Sequence, residues 1–302
     1  MNKRLIFSAM LGFVLALGFM PATEVYTAGS YNDGGKRVAC YWKDGTRTDL
    51  TDLPAGAGYS YAQAIAVSGN SAYVAGSYND SGSKNVACYW KDGTRTDLDL
   101  PARAGDSIVQ AIAVTGSSTY VAGTYSDSGS KAVACYWKDG TRTDLTDLPA
   151  GAGGSFAFAI AVTGSSTYVA GTYSDSENTL VACYWKDGTR TDLTDLPAGV
   201  GGSIVQAIAV TGNSTYAAGA YYDGSDNDVA CYWKDGTRTD LGLPAGAGDS
   251  YANTIAISGS SAYIAGSYYD GRNDVACYWK DGTRIDLPGL NGEANTIAVV
   301  EE

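Results

Sequence analysis

The chain has 302 residues, including 39 Gly, 23 Tyr and no His, and its formal net charge at pH 7 is −12. The acidic charge argues against nucleic acid and anionic membranes as partners, because both attract surfaces rich in Lys and Arg. The absence of His excludes Ser-His-Asp and Cys-His catalysis and His-ligated metals, and abundant Gly and Tyr favour turns and strands.

The first segment of the chain is basic and then apolar. Lys3 and Arg4 precede a nearly uninterrupted apolar run that reaches Met20. This pattern predicts a secretory signal peptide over residues 1–22. A retained anchor is the alternative, since a membrane-spanning helix needs about 20 apolar residues. We expect a secreted, periplasmic or cell-surface protein, without membrane insertion after cleavage, whose residues 23–302 form one monomeric domain.

One ten-residue sequence, VACYWKDGTR, recurs six times along the chain. The copies begin at Val38, Val86, Val133, Val181, Val229 and Val275. The Trp residues of successive copies are 46 to 48 residues apart. A period of this size indicates one supersecondary unit per repeat, as in the blades of a propeller.

Each repeat divides into four short strands, named A to D. In the second copy they are Tyr61–Gly69 (A), Ala72–Tyr78 (B), Val86–Lys91 (C) and Thr94–Leu98 (D). Asp92-Gly93 is a typical two-residue hairpin turn, because a type I′ turn needs positive φ at both positions. Segments rich in Gly, Asn and Ser separate A from B and B from C. We therefore expect a four-stranded antiparallel meander in each repeat.

The first and last repeats are incomplete and complement each other. Residues 25–31 match strand B, whereas residues 294–300 match strand A. Pairing the last A strand with the N-terminal B, C and D strands would close a ring and protect its edges. The sequence therefore predicts an all-β, six-bladed β-propeller of four-stranded antiparallel blades, closed by the C-terminal strand A.

The stretch IAVSGNSAYVAGSYND (Ile65–Asp80) resembles the repeat of NHL propellers. It has the apolar strand, the Gly-Asn turn and the Tyr-Val-Ala strand of that class, and the YW pair of strand C is similar to kelch-like blades. Gly76 departs from the NHL pattern, which usually has Asp there. The resemblance implies the type of blade and names no ligand.

The cysteines all occupy one position of strand C. They are Cys40, Cys88, Cys135, Cys183, Cys231 and Cys277. Stacked sheets lie about 10 Å apart, beyond the roughly 7 Å between Cα atoms that a disulfide spans. We expect buried hydrophobes instead, on a face with Val38 and Trp42 that packs against the next blade. A metal site is the alternative, but paired Cys and His are both lacking.

The run Lys43–Arg47 and its copies contain an acid and two bases. We interpret it as the C–D hairpin followed by strand D, rather than as a sixfold catalytic site. Arg47 and Asp49 fall on the same face of strand D, where they can pair with each other. Exposed ion pairs of this kind contribute only about 0–1 kcal/mol each.

The B–C loop DGSDND is the richest in oxygen ligands. Asp223, Asp226 and Asp228 could begin a calcium site, since calcium takes six to eight oxygen ligands. Asx turns explain single Asp residues in such loops equally well. Calcium is the one cofactor that the sequence suggests.

The repeats differ mainly in the B–C loops, the D–A loops and the start of strand A. In an antiparallel meander both loop sets emerge on one side, here named the loop face. Aromatic and amide side chains there suit a carbohydrate or a protein surface. The candidate ligand-binding residues are Tyr59, Tyr61, Gln63, Gln110, Phe156, Phe158, Gln206, Tyr222, Tyr251, Asn253, Tyr269 and Asn295.

The sequence therefore favours a secreted or envelope-associated binding module for protein or carbohydrate. One alternative is a carboxylate-dependent glycosidase or lyase in the central channel, which would need an asymmetric acid pair. Another is a purely structural surface repeat protein, in which the loop differences are drift. No motif nominates a catalytic residue.

Overall fold

The computed structural model describes residues 24–299 except 226 and 290. These residues form 23 β-strands and no helix, and hence none that is long and apolar enough to cross a membrane. The strands make six antiparallel sheets in chain order. The predicted all-β propeller architecture is confirmed, whereas the predicted signal peptide over residues 1–22 lies outside the described residues.

The first three sheets follow the predicted division closely. Sheet one consists of β1 (Tyr26–Asp33), β2 (Lys36–Lys43) and β3 (Thr46–Asp49). Sheet two consists of β4 (Ser60–Ser68), β5 (Ser71–Asn79), β6 (Asn85–Lys91) and β7 (Thr94–Asp97). Sheet three consists of β8 (Ser107–Thr115), β9 (Ser118–Ser126), β10 (Ala132–Lys138) and β11 (Thr141–Asp144).

The last three sheets repeat the same order of A, B, C and D strands. Sheet four consists of β12 (Ser155–Thr163), β13 (Ser166–Ser174), β14 (Leu180–Lys186) and β15 (Thr189–Asp192). Sheet five consists of β16 (Gly202–Thr211), β17 (Ser214–Tyr222), β18 (Asp228–Lys234) and β19 (Thr237–Asp240). Sheet six consists of β20 (Ser250–Ser258), β21 (Ser261–Tyr269), β22 (Asp274–Lys280) and β23 (Thr283–Asp286).

The Asp-Gly turns have the geometry that the sequence predicts. Asp92 and Gly93 have φ of 50° and 87°, and the other five copies are alike. The Asp92 N–H donates to the Ala72 carbonyl at 2.9 Å, and the Asp92 carboxylate accepts the Ala72 N–H at 2.9 Å. This aspartate therefore forms the C–D hairpin and also ties it to strand B, which explains why the run is invariant.

Neighbouring sheets pack through the same residues at each described junction. Trp90 and Cys88 of sheet two are fully buried against Ala39 and Leu50 of sheet one. The Trp face thus packs against the preceding sheet. The prediction of the next blade was wrong, because each D–A loop lays the new A strand on the B and C strands of the sheet just completed.

A buried serine adds a hydrogen bond to each of these junctions. The hydroxyl oxygen of Ser60, near the start of β4, accepts the Ala39 N–H at 2.9 Å. Ser107, Ser155, Ser203 and Ser250 do the same for Ala87, Ala134, Ala182 and Ala230. An unpaired N–H in these interiors would be costly, so the serine is as uniform as the tryptophan.

The cysteines are confirmed as buried, free thiols. All six are buried and none forms a disulfide. Five of the six Trp side chains, which lie two residues further along strand C, have no exposed surface. Ala87, which lies on the opposite face of its strand, is also fully buried, so strand C is core on both faces and its thiols are packing residues.

The closing strand is the part of the predicted fold that the structure does not show. Sheet one has three strands, and residues 294–299 are not paired with β1. Instead the Ala294 N–H donates to the Gly266 carbonyl of sheet six at 3.2 Å. The corresponding residue of β4, Ala62, likewise donates its N–H to the preceding sheet, where the Ser30 hydroxyl oxygen accepts it at 3.3 Å. The segment thus lies where an A strand would follow sheet six, because packing on that sheet does not require the two ends of the array to meet.

The two ends of the array leave matching faces uncovered. Trp42 of sheet one is half-buried, unlike the other tryptophans, because the described structure packs no sheet on its face. On sheet six, Tyr263 and Tyr278 line a hollow of about 500 Å³ together with residues 296–299. Ring closure would bring these two faces together in the same way as at the other junctions.

Candidate functional site

The B–C and D–A loops meet on one side of the molecule, as predicted for the loop face. The Lys84 amino group in a B–C loop donates to the Ala104 carbonyl in the following D–A loop at 2.7 Å. The Asn85 N–H donates to the Asp106 carboxylate at 2.8 Å. These bonds connect neighbouring repeats, so the loop face is a continuous surface rather than separate tips.

Two equivalent hollows open between these loops. The first has a volume of about 310 Å³, and its lining combines apolar residues such as Val38, Leu50, Leu53 and Pro54 with the polar residues Lys36, Arg37, Thr51 and Ser60. The second, of about 330 Å³, has the matching residues of the third repeat. In the first hollow the Lys36 amino group already donates to the Ala57 carbonyl at 2.9 Å. These hollows therefore combine apolar surface with polar groups, of which the Lys36 amino group is already engaged.

A β-bulge occurs at one position of every described A strand. The register with strand B shifts between Ala62 and Ala64 in β4, which leaves Gln63 as the extra residue. The extra residues in the other A strands are Gln110, Phe158, Gln206 and Asn253. Bulges re-aim side chains and are common beside functional sites. All five of these residues belong to the predicted ligand-binding set.

A glycine of strand B makes room for each bulge. A Cβ on Gly171 would lie 2.0 Å from the Phe156 carbonyl oxygen and 2.8 Å from Trp185 Cζ3. The corresponding Cβ on Gly76 would lie 2.0 Å from the Tyr61 carbonyl oxygen. The glycine that departs from the NHL pattern is therefore required by the bulge opposite it.

The bulge residues share their surroundings with other predicted residues. The Phe156 and Phe158 rings stack with centroids 6.4 Å apart. The Asn253 amide donates to the Ala294 carbonyl at 3.2 Å and to the Asn295 side-chain oxygen at 3.3 Å. The structure therefore brings Asn253 and Asn295 together, although they come from different repeats.

The predicted tyrosines are spread over several junctions. Tyr59, Tyr251 and Tyr269 are exposed by 46%, 37% and 40%. Tyr61 is half-buried, and the Arg37 guanidinium of sheet one lies 5.6 Å from its ring centroid. These residues lie on one face without forming a single cluster, and their role in binding stays a prediction.

Tyr251 has a partner that the sequence did not indicate. The pKa of Tyr251 is raised mainly by burial and, as the second cause, by a hydrogen bond with Asp228. Burial also raises the pKa of Asp228, and Asp249 raises it further. Burial raises the pKa of Tyr222 too. Asp228 is thereby committed to Tyr251 across the junction between sheets five and six.

The candidate calcium ligands have other partners where the structure describes them. The Asp223 carboxylate accepts the backbone N–H groups of Ser225 and Asn227 at 2.7 and 3.0 Å, as in an Asx turn. Bonds from Asn227 are the main reason that the pKa of Asp223 is lowered. Asp226 lies outside the described residues. Among the described residues no group of three His, Cys, Asp or Glu could hold a metal, so calcium stays a prediction.

A Tyr, an Arg and an Asp form a contact in each sheet, of which the sequence predicted the Arg-Asp pair but not the Tyr. The predicted Arg-Asp pairs of strand D are present in all six sheets, with N···O distances of 2.6–2.8 Å. The Arg190 guanidinium also lies 4.9 Å from the Tyr173 ring centroid. Burial is the main cause that raises the pKa of Tyr173 to about 12. The invariant Tyr of strand B was the signal for this contact, which is structural.

No protein-family model and no curated protein matches the chain. Among solved structures, it is similar to a triple arginine-to-alanine mutant of AofleA from Arthrobotrys oligospora, at 12% identity and a TM-score of 0.42, covering 77% of this chain and 70% of that one. It is also similar to the SapL1 lectin in complex with alpha methyl fucoside, at 11% identity and a TM-score of 0.42, covering 88% and 96%. A function for this chain therefore depends on its own residues.

Proposed function

We propose that this protein is a carbohydrate-binding β-propeller that holds its ligand on the loop face. One observation carries the proposal: all three exposed aromatic side chains of the described residues, Tyr59, Tyr251 and Tyr269, lie on that face. It is also the face on which the repeats differ. An exposed ring that contributes nothing to the core is available to a ligand.

The chemistry of the face suits a sugar. Aromatic rings offer flat apolar area to the C–H face of a pyranose, and amides both donate to and accept from hydroxyl groups. Tyr251 and Tyr269 lie beside each other in sheet six, where the Tyr269 N–H donates to the Asp249 carbonyl, whereas Tyr59 precedes sheet two. The exposed rings therefore do not form the continuous patch of about 800 Å² per partner that a stable protein interface needs. A protein partner is the alternative outcome of the binding experiment.

No specific observation favours an enzyme. The five described A strands contain no Asp or Glu. Asp228 and Asp249 lie close together across a junction, but the Asp249 carboxylate already accepts the Asp228 N–H at 3.0 Å. The proposal includes action outside the cytoplasm, as a secreted, periplasmic or surface protein, which the sequence of residues 1–22 supports.

The test is a glycan and envelope-protein binding screen, with and without calcium, using the chain without residues 1–22. We expect the protein to bind saccharides in this screen. Tyr61, Phe156 and Tyr251 lie in sheets two, four and six, and changing them together to Ala is expected to weaken binding about fivefold at each site, because each site loses one ring contact of about 1 kcal/mol. Affinity is measured by titration calorimetry, and folding by the thermal midpoint.

A matched control removes exposed apolar side chains elsewhere. Val67 lies at the other end of β4 and Ile285 on an outer strand, with exposures of 42% and 37%. The Val67→Ala, Ile285→Ala variant should bind normally. Unchanged affinity of the triple variant would refute the patch, and retention of proteins but no saccharide would refute the proposed function.

A further inference from the structure

The A strands lie side by side in chain order. Each of β4, β8, β12 and β16 contacts the next A strand, and each A strand is the first strand of its own sheet. In a propeller these strands surround the central axis. Side chains at one position of successive A strands therefore lie at one level around that axis.

The bulge residues occupy such a level. We name Gln63, Gln110, Phe158, Gln206, Asn253 and Asn295 the bulge ring. Asn295 belongs to the segment beside sheet six, and its bond with Asn253 shows that neighbouring members reach each other. The bulge is what directs these side chains away from the sheet-to-sheet core, since Ala62 before it and Ile65 after it pack into that core.

The side chains of the bulge ring are all amides except that of Phe158. Five members are amides, one is aromatic and none is charged. No described residue hydrogen-bonds to the side chains of Gln63, Gln110 or Gln206. These three glutamine amides satisfy no hydrogen bond of the fold, although each carries two donors and an acceptor.

A hollow opens beside one member of this level, Asn253. It has a volume of about 250 Å³ and is lined by Tyr251, Asn253, Ser267 and Glu293. This is smaller than the roughly 300–1,000 Å³ of sites for drug-sized ligands. The hollow therefore suits a single sugar unit, and the Glu293 carboxylate at its edge would repel an anionic one.

We propose that the bulge ring binds one uncharged sugar unit on the axis, an inference that rests on the proposed carbohydrate function. The amides bond to the hydroxyl groups, and the Phe158 ring stacks on the C–H face of the pyranose. The repeated hollows of the loop face would instead give several equivalent sites per chain. Stoichiometry consequently distinguishes the axial site from any other sugar site on this protein.

The experiment titrates the chain without residues 1–22 with methyl glycosides of glucose, galactose, mannose, fucose and N-acetylglucosamine. Glucuronic and N-acetylneuraminic acids serve as anionic members of the panel. We expect one bound sugar per chain and a preference for the uncharged members. The Gln63→Ala, Gln206→Ala variant should bind about tenfold more weakly or worse, since each lost hydrogen bond weakens binding about fivefold.

Two further variants separate binding from folding. Phe158→Gln places at this bulge the residue that three other bulges have, so it should fold normally and lose affinity roughly five- to tenfold. Asn213→Ser changes an A–B turn to the residue that other repeats have, and should change neither affinity nor the thermal midpoint. Normal affinity of the Phe158 and glutamine variants would overturn the axial site.

The outcomes keep the two proposals apart. Several bound sugars per chain, or a preference for the acidic sugars, would overturn the axial site and leave the carbohydrate function standing. Binding of no member of the panel, together with no saccharide in the screen, would overturn both.

Discussion

Raising the pH from about 8 to about 10.5 is expected to lower the free energy of unfolding steeply and so to unfold this protein. Burial raises the pKa of Cys88, Cys135, Cys183 and Cys231 well above the ordinary thiol value. None of the four side chains has exposed surface. The folded protein therefore keeps these thiols protonated at pH values where the unfolded chain has lost the protons.

The direction of the effect follows from proton linkage. Below the thiol pKa of the unfolded chain, about 8.5, both states are protonated and stability is unaffected. Above it, each buried thiol lowers the free energy of unfolding by about 1.4 kcal/mol per pH unit, until the folded-state pKa is reached. Cys277, whose pKa burial raises to about 12, adds a fifth such thiol, so together the thiols give roughly 7 kcal/mol per unit, comparable to the whole stability of a typical domain.

The measurement is urea unfolding at intervals across this pH range. The Cys135→Ala, Cys183→Ala variant is the control, because it removes two of these thiols and should lower the slope by roughly a third to two-fifths up to about pH 10. Above that, tyrosines such as Tyr125, whose pKa burial raises to about 12, add to the fall in both proteins. Equal slopes would show that the thiols are not responsible.

Replacing Gly171 by Ala is expected to destabilise the protein by about 3 kcal/mol or more. The new Cβ would lie 2.0 Å from the Phe156 carbonyl oxygen and 2.8 Å from the buried Trp185 ring. Neither neighbour can withdraw without disturbing the bulge or the junction, so strand A must move. The check is the free energy of unfolding from a urea titration.

Gly29 is the matched position in sheet one and reports on ring closure. In the structure a Cβ there would meet only Trp42, at 3.2 Å. If the C-terminal segment pairs with β1 as the sequence predicts, a bulged carbonyl will face Gly29 as one faces Gly171. We expect Gly29→Ala to cost as much as Gly171→Ala. A cost below about 1 kcal/mol would mean that sheet one keeps a free edge.

The strand pattern could be predicted from the sequence because its signals are local. The Asp92-Gly93 turn and the alternation of Val86, Cys88 and Trp90 fix where strands begin, end and face. The predicted bounds of strands A to D differ from those of sheet two by one residue or so at each end. The face onto which Trp90 packs could not be deduced, because it depends on the path of the D–A loop.

The bulge was missed although the sequence contains its signal. Val109 and Ile112 are three residues apart, yet both pack on the preceding sheet. An even spacing would be required of an unbroken strand. This odd interval, together with the glycine opposite, recurs in the five complete repeats. The glutamines could be predicted as candidate site residues from their variability alone. Their position at one common level around the axis could not be predicted.

The contacts between variable residues could not be predicted at all. Arg37 lies over Tyr61, and Asp228 bonds Tyr251, at equivalent places of two different junctions. Each pair joins residues more than 20 positions apart in strands of different sheets. Only the three-dimensional arrangement shows that some of the variable residues contact the adjacent repeat. Tyr61 and Tyr251 are therefore not free to vary independently of their partners.

The uniform junctions have a consequence for how the chain folds. Each sheet forms from one contiguous stretch through tight hairpins, and any sheet's Trp face fits any other sheet's partner face. Folding can thus begin at any repeat and spread in both directions, as in a one-dimensional array. It also means that a repeat can dock on the wrong copy, a common failure of near-identical neighbours. The pairs at Tyr61 and Tyr251 are among the few contacts that distinguish correct neighbours from incorrect ones.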